Sequence, residues 1–398
     1  MRSAVATTFE LDDARVSAQE LVDSIQDQLE FKEHSAGILL CDADADGAAI
    51  SSELNRLLGI PIAGMTSLAT FSTEGYHDGA VTLTVFTADD VRFTLVASAP
   101  FDDSYEEEMA DAYRRALPTA APDVALDERP ALIFAFCPSS EPFSGDKYAN
   151  TLGALAHDAP VIGGICSDYY EYKHARVFLN GEEYTDSIVL VCLWGEVRPT
   201  FSIRHVTSKF AERIRRVVEA RDNIVYRVGD ETFVEYLEGF GLRTDVSDPL
   251  MAFTSYPMML TQEAGDETPL MRHIAALDLE TGAGTFIADV PVGALANICL
   301  ISRDDIKVSA RESMESLLTK MAEQHDYEYS TVFCVSCGGR SVILGADSGA
   351  EGDILAEQLP EGLVLAGAYC MGELCPTRYV DGVARNRFHN CSITFCAL

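Results

Sequence analysis

Apolar residues first take up a helical rhythm over residues 17–31. Leu21, Val22, Ile25 and Leu29 share one face there, and Ser17 and Glu20 have capping-box spacing. The spacing predicts an amphipathic helix. Further along, apolar runs of strand length take over, interrupted by helical patterns at 104–116, 148–156, 230–239, 306–323 and 351–358. In 175–228 and 250–303 the runs are brief and broken by Gly, Asp and Asn, as in meandering strands. No window holds about 18 uninterrupted apolar residues, so no membrane-spanning helix is expected.

The same order of elements is written three times. In the first copy an apolar strand at 37–41 leads through a polar loop and a helix to Leu58. Pro61-Ile-Ala-Gly-Met-Thr-Ser67 follows, then a strand at 81–85. The second copy runs from a strand at 131–137 through a helix to Leu155, then Pro160-Val-Ile-Gly-Gly-Ile-Cys-Ser-Asp168 and a strand at 188–193. The third has a strand at 331–337, a helix to Leu359, Val364-Leu-Ala-Gly-Ala-Tyr-Cys-Met-Gly-Glu373 and a strand at 392–396. Small residues in and after a buried strand let backbone approach closely, either to another strand or to a ligand. These patterns predict an α+β (mixed α/β) protein. Two domains of mixed β-sheets covered by helices are expected, with internally repeated strand-helix-strand-strand units.

Composition narrows the partners. Lys and Arg number 29 against 63 Asp and Glu, a net charge of −34. Such a surface repels phosphate backbones and anionic bilayers, so neither nucleic acid nor membrane is expected as a partner. With 47% apolar residues the chain has material for sizeable cores. The start, Met1-Arg-Ser-Ala-Val-Ala-Thr-Thr-Phe9, lacks the basic patch and apolar run of a signal peptide, which leads us to expect a cytoplasmic protein. The 11 cysteines are an odd count and sit mostly in apolar runs, among them Cys41, Cys137, Cys192 and Cys299, so free buried thiols are expected.

The third copy carries a recognisable combination: Cys337-Gly-Gly-Arg340, a Glu at 351, Ala366-Gly-Ala-Tyr-Cys-Met-Gly-Glu373 and His389-Asn390. It resembles the C-terminal domain of the FIST family (F-box and intracellular signal transduction). Pro61-Ile-Ala-Gly-Met-Thr-Ser67, Pro160-Val-Ile-Gly-Gly-Ile-Cys-Ser-Asp168, Val177-Phe-Leu-Asn-Gly-Glu182, Val206-Thr207 and Asn223-Ile-Val-Tyr-Arg-Val-Gly-Asp230 are similar to its N-terminal domain. The resemblance spans roughly 35–398 and departs from the family at 207–223, which is longer than a compact link. It implies a helical lead-in at 1–34, a FIST N-terminal-like domain at 35–228 and a FIST C-terminal-like domain at 229–398. It further implies a sensory, signal-transducing protein that binds a small polar ligand such as an amino acid, needs no cofactor and acts through a separate signalling protein.

Several residues are candidates for such a site. A guanidinium at Arg340 can hold a carboxylate in a two-pronged fork, and Glu373 can receive an amino group, a pair suited to a zwitterion. Equally, the two can pair with each other. Tyr369 and Asn390 would add polar contacts, with Gly372, Gly163 and Gly164 admitting backbone contacts. Thr66, Ser67, Ser167 and Asp168 follow the glycine turns and would line a second pocket, covered by Tyr169 and Tyr170. A different class of function places Cys337 as nucleophile beside His389, in a cysteine-dependent hydrolase or transferase. A third class is a partner-binding scaffold with no small ligand. Cys334-Val-Ser-Cys337 with Cys370 and Cys375 offers four thiols of the kind that hold zinc. Residues 42–53 fit a calcium-loop pattern through Asp42, Asp44, Asp46, Gly47 and Glu53, although Asp46 can instead cap the following helix.

Overall fold

The computed structural model describes residues 1–101, 105–118, 129–139, 144–171, 173–206, 213–261 and 268–398. Unit 1 comprises β1 (Arg2–Thr8), α1 (Ala14–Gln28), β2 (His34–Cys41), α2 (Gly47–Leu58), β3 (Ile62–Thr66), β4 (Thr70–Ser72), β5 (Gly75–His77) and β6 (Val81–Ala88). Unit 2 repeats this order as β7 (Val91–Ala97), α3 (Tyr105–Ala116), β8 (Leu132–Cys137), α4 (Gly145–Leu155), β9 (Val161–Ile165), β10 (Val177–Leu179), β11 (Glu182–Tyr184) and β12 (Val189–Gly195). Unit 3 opens with β13 (Thr200–His205) and is then interrupted by an insertion. The insertion holds β14 (Arg215–Arg221), β15 (Ile224–Val228), β16 (Glu231–Thr232), α5 (Phe233–Glu238), α6 (Pro249–Ala252) and β17 (Met258–Thr261). It continues with β18 (Leu270–Arg272), β19 (Ile274–Asp278), β20 (Ala283–Phe286) and β21 (Leu295–Ile298). Unit 3 resumes with α7 (Arg303–Ala322), β22 (Thr331–Cys337), α8 (Gly338–Leu344), α9 (Ala350–Gln358), β23 (Val364–Cys370), β24 (Glu373–Val380), β25 (Val383–His389) and β26 (Ser392–Ala397).

Each unit forms one sheet: β1-β6-β2-β3-β10-β11, β7-β12-β8-β9-β24-β25 and β13-β26-β22-β23-β4-β5. The parallel pair in each (β2 with β3, β8 with β9, β22 with β23) is bridged by helical segments, as parallel strands require. The hairpins are exchanged in a ring. Unit 1 gives β4 to β23, unit 2 gives β10 to β3, and unit 3 gives β24 to β9. The outer strands stay within their own units, since β1 joins β6, β7 joins β12 and β13 joins β26. Backbone bonds tie the second-strand ends together: Leu68 N–H to Tyr369 O (3.2 Å), Met371 N–H to Ile165 O (3.1 Å) and Ser167 N–H to Thr66 O (3.0 Å). The parts of the chain before and after residue 228 therefore interlock.

Strand alternation sorts side chains into two layers. Ile38, Leu40, Phe134, Phe136, Phe333 and Val335 meet in a core shared by the three sheets. Leu39 and Cys41 face α1 and α2, Ile133 and Ala135 face α3 and α4, and Val332 and Cys334 face α7 and α9. The result is an α+β protein of mixed sheets covered by helices. Among the described residues no helix is long and apolar enough to cross a membrane.

The repeated glycine has a steric cause. Gly64, Gly163 and Gly367 sit opposite Leu39, Ala135 and Cys334 on the parallel neighbour. A Cβ on them would lie 1.8, 2.0 and 2.0 Å from those residues' carbonyl oxygens. Gly163 and Gly367 also have φ of 154° and 155°, which side chains rarely adopt. Close strand approach thus accounts for these three positions.

Some elements differ from expectation. Helix α1 begins earlier, because Asp13 caps it by accepting from Arg15 and Val16 N–H, while Ser17 lies inside the helix and donates to the Glu10 and Asp13 carbonyls. The segment 1–34 holds strand β1 as well as the helix; its short Ala4-Val5-Ala6 stretch carries little periodic signal. Cys337 leads straight into α8, and a second helix, α9, follows before β23. Helix α5 is shorter than 230–239, since the Thr232–Glu235 capping box starts it late. Residue 104 of the third expected helix, Thr207, and 207–212 of the long junction segment lie outside the described residues.

The insertion has its own core around Val217, Phe233, Tyr236, Phe286 and Ile298. It docks on the repeats through Arg272, 1% exposed, whose Nη2 meets both Asp146 carboxylate oxygens at 3.0 Å. Arg272 also donates to the Phe388 carbonyl (3.3 Å).

Candidate functional site

Where the insertion meets unit 3 there is a small, narrow cleft, at the C-terminal ends of the parallel pair β22–β23. Such strand ends are where α/β crossovers commonly present ligand sites. The insertion contributes Leu250, Met251, Thr254, His273 and Ile287, and the repeats contribute Cys337, Val342, Cys370, Met371 and Asn390. Tyr170, from unit 2, leans over the rim and donates to the Gly338 carbonyl (2.9 Å). The walls are mainly apolar.

Polar groups gather on the cleft's inner side. The Cys391 Sγ lies 2.8 Å and the Cys337 Sγ 3.9 Å from His273 Nε2. Glu373, fully buried, accepts from the Ser392 hydroxyl on Oε2 (2.5 Å) and has the Cys337 thiol beside it. Among the described residues its Oε1 has no hydrogen-bond partner, and neither has Asn390 Oδ1. Asn390 donates its Nδ2 to the His389 carbonyl (3.1 Å). Burial pushes Glu373 up to about 8, against the Ser392 bond, the neighbouring Cys337 thiol and the Arg340 charge. Burial also pushes His273 down to about 4 and the Cys337 thiol well above its usual range. Near pH 7 the site is therefore electrically neutral.

Arg340 and Glu373 do not form the expected pair. The Arg340 guanidinium holds Glu351 through Nε (3.0 Å) and Nη2 (2.6 Å), both residues being 0% exposed. Tyr369 OH (2.7 Å) and Ser336 Oγ (3.2 Å) complete the Glu351 shell. Arg340 also donates to Ser309 on α7 (2.9 Å), so this network ties α7, α8, α9 and β23 together. Tyr369 is thereby turned away from the cleft, while Asn390 lines it.

The other candidates fall elsewhere. Thr66, Ser67 and Ser167 sit at the convergence of the units, with Thr66 Oγ1 accepting from Arg176 N–H (2.9 Å) and Ser167 Oγ donating to the Tyr369 carbonyl (3.4 Å). Asp168 anchors its own loop by accepting from the N–H groups of Glu171, Lys173 and His174. Gly164 pairs opposite Glu373, and a Cβ on Gly372 would meet Phe388 at 2.2 Å. His389 is not beside Cys337: its Nε2 donates to the Cys375 carbonyl (3.1 Å) and its ring lies 5.2 Å from that of His205. The imidazole near the thiol is His273, which no spacing in the sequence ties to residues 337 or 391. Only the β18–β19 corner brings it there.

Neither metal pattern assembles. Asp46 caps α2 through Ala49 N–H (2.8 Å), Tyr169 donates to Asp42 and Asp44, and Glu53 turns to Arg56 (2.7 Å). Cys334 packs under α7 and α9, whereas Cys370 and Cys375 face the central core, because β22 continues through all four residues of Cys334-Val-Ser-Cys337. Among the described residues no group of three or more His, Cys, Asp or Glu is placed to hold a metal ion.

The FIST N domain model matches residues 3–231 and the FIST C domain model matches residues 231–376. The chain belongs to the FIST family, whose domains are commonly described as sensory and signal-transduction domains. The N-domain match starts within β1, so the segment ahead of residue 35 lies inside it, and the two matches meet within the insertion. No curated protein matches the chain in sequence.

Proposed function

We propose that the protein senses a small uncharged metabolite in the cleft between the insertion and unit 3. Occupancy would change how firmly the insertion is held, and a separate signalling protein would read that change. The observation that carries this reading is the buried Asn390 Oδ1, an acceptor on the cleft wall without a donor. A ligand hydroxyl or amide N–H would satisfy it while apolar atoms fill the remainder. Because the cleft draws on two separately cored bodies, a ligand touching both favours the docked arrangement by its differential affinity. The neutral surroundings and the Arg340–Glu351 pair favour an uncharged ligand over the amino acid that Arg340 and Glu373 would have held.

Thermal melting against small alcohols, amides, ketones and aldehydes tests this. A ligand at 100 times its Kd adds about 2.7 kcal/mol. Unfolding entropy of ~2.1 cal/mol/K per residue makes that a rise of about 3 °C if all 398 residues melt together. The rise should vanish in Asn390→Ala. A rise that is equal in that variant would locate binding elsewhere and defeat the reading.

A further inference from the structure

The hydrogen-bonding groups of the cleft are mismatched among themselves but matched to a particular adduct. Cys337, 3% exposed, presents a thiol at the end of β22. Glu373 lies beside it with Oε1 unpartnered, and Asn390 lines the same cleft with Oδ1 unpartnered. The remaining walls, Leu250, Met251, Ile287, Val342 and Met371, suit a short alkyl chain. Acyl transfer would need hydrogen-bond donors aimed at a developing oxyanion. Asn390 presents an unpartnered acceptor, its Oδ1, while its amide nitrogen donates to the His389 carbonyl. A ligand oxygen that ends the reaction as a hydroxyl is what this wall can bind.

We propose that Cys337 captures a small aliphatic aldehyde, covalently and reversibly, as a hemithioacetal. Glu373 carries the proton and Asn390 Oδ1 accepts from the new hydroxyl. The proposal rests on the cleft being a ligand site, as argued above. In its ionised form Glu373 takes the thiol proton on Oε1 while Sγ forms a bond to the carbonyl carbon. The π pair moves to oxygen as Glu373 returns the proton to it, so no free alkoxide forms beside Asn390. One S–H bond and one C=O π bond are replaced by one S–C and one O–H bond; nothing leaves and nothing is oxidised. Before addition the aldehyde oxygen is an acceptor and Asn390 goes unsatisfied. After addition its hydroxyl donates, so the amide favours the adduct over the free ligand. Burial keeps the thiol protonated, which leaves it inert toward reagents that do not enter the cleft beside Glu373.

The test uses the full chain with [1-13C]propanal, followed by NMR, with 1-propanol as a shape-matched probe that cannot add. The wild type should show a protein-bound resonance of a sulfur-substituted acetal carbon, distinct from free propanal and its hydrate. It should persist in Cys370→Ser, a cleft residue whose thiol faces the central core, vanish in Cys337→Ser and weaken at least tenfold in Asn390→Ala. Independently of any variant, propanal should protect Cys337 from iodoacetamide, mapped by peptide mass. A resonance that survives Cys337→Ser, or alkylation of Cys337 unchanged by propanal, overturns the proposal. If the resonance is absent while 1-propanol still raises the melting temperature through Asn390, covalent capture is wrong and the sensing cleft stands. If neither compound acts, both readings fall.

Discussion

Replacing Arg340 by Met tests the buried Arg340–Glu351 network. Met keeps an apolar stem but not the guanidinium, so the chief effect is to leave Glu351, 0% exposed, facing only the Tyr369 and Ser336 hydroxyls. Removing one partner of a buried ion pair costs about 3–5 kcal/mol, most of it from the charge left behind. The exchanged hairpins bind the three units into one body, since each sheet contains strands of another unit. A single cooperative transition is therefore expected. With ~2.1 cal/mol/K per residue over 398 residues, the loss corresponds to a fall of about 4–6 °C in melting temperature by calorimetry. Arg340→Met/Glu351→Leu should recover part of it, because no uncompensated charge remains, while the Arg340 bonds to Ser309 and Ile306 and the Tyr369 and Ser336 bonds to Glu351 are lost. A single variant that melts within a degree of wild type would refute the argument, since Arg340 would then be replaceable, as a ligand anchor can be. A double variant as unstable as the summed singles would refute it too, by showing that packing rather than charge dominates.

Three further outcomes follow from the same geometry. Gly163→Ala and Gly367→Ala should each cost more than the about 1–3 kcal/mol of backbone strain alone, because the new Cβ meets a neighbouring strand's carbonyl at 2.0 Å. Gly79→Ala, at φ 58° with nothing within 4 Å, should cost only about 1 kcal/mol in urea unfolding, and equal losses at all three sites would contradict the steric account. Glu373 is held at about 8 in the fold against an ordinary 4.5, so its contribution is full below about pH 4.5 and is lost as pH rises toward 8. Arg340, Cys337 and Ser392 act on it, as do at longer range the thiols of Cys334, Cys370, Cys375 and Cys391, and the buried His205, His273 and His389 titrate below this range. The wild type should lose stability relative to Glu373→Gln between pH 5 and 8, and urea midpoints that run parallel would exclude this. Asp46→Ala should cost about 1 kcal/mol as a lost helix cap, Glu53→Gln a few tenths, and millimolar calcium should leave the wild-type melting curve in place. A calcium-induced rise abolished by Glu53→Gln would restore the ion-loop reading.

The threefold repeat, the strand and helix positions within it, and the family were written locally in the sequence. Alternating apolar runs must hide one face, and a strand-helix-strand order must cross over, so 37–41, 131–137 and 331–337 declare themselves as first strands. The recurrent glycine was visible too, but not its cause, because a carbonyl 2.0 Å from an absent Cβ belongs to another strand. Partner choice was decided only in three dimensions. Arg340 lies 11 residues before Glu351 and 33 before Glu373, and nothing in that spacing tells which carboxylate it meets; the placing of α8 and α9 against α7 does. In the same way His389 stands close to Cys391 in sequence, yet the imidazole that reaches Cys391 and Cys337 is His273, 118 and 64 residues away. Periodicity is a property of neighbours along the chain and is read from them. A site assembled from an insertion, a strand end and a distant turn depends on how those pieces dock, and that depends on burial and backbone pairing summed over the whole molecule.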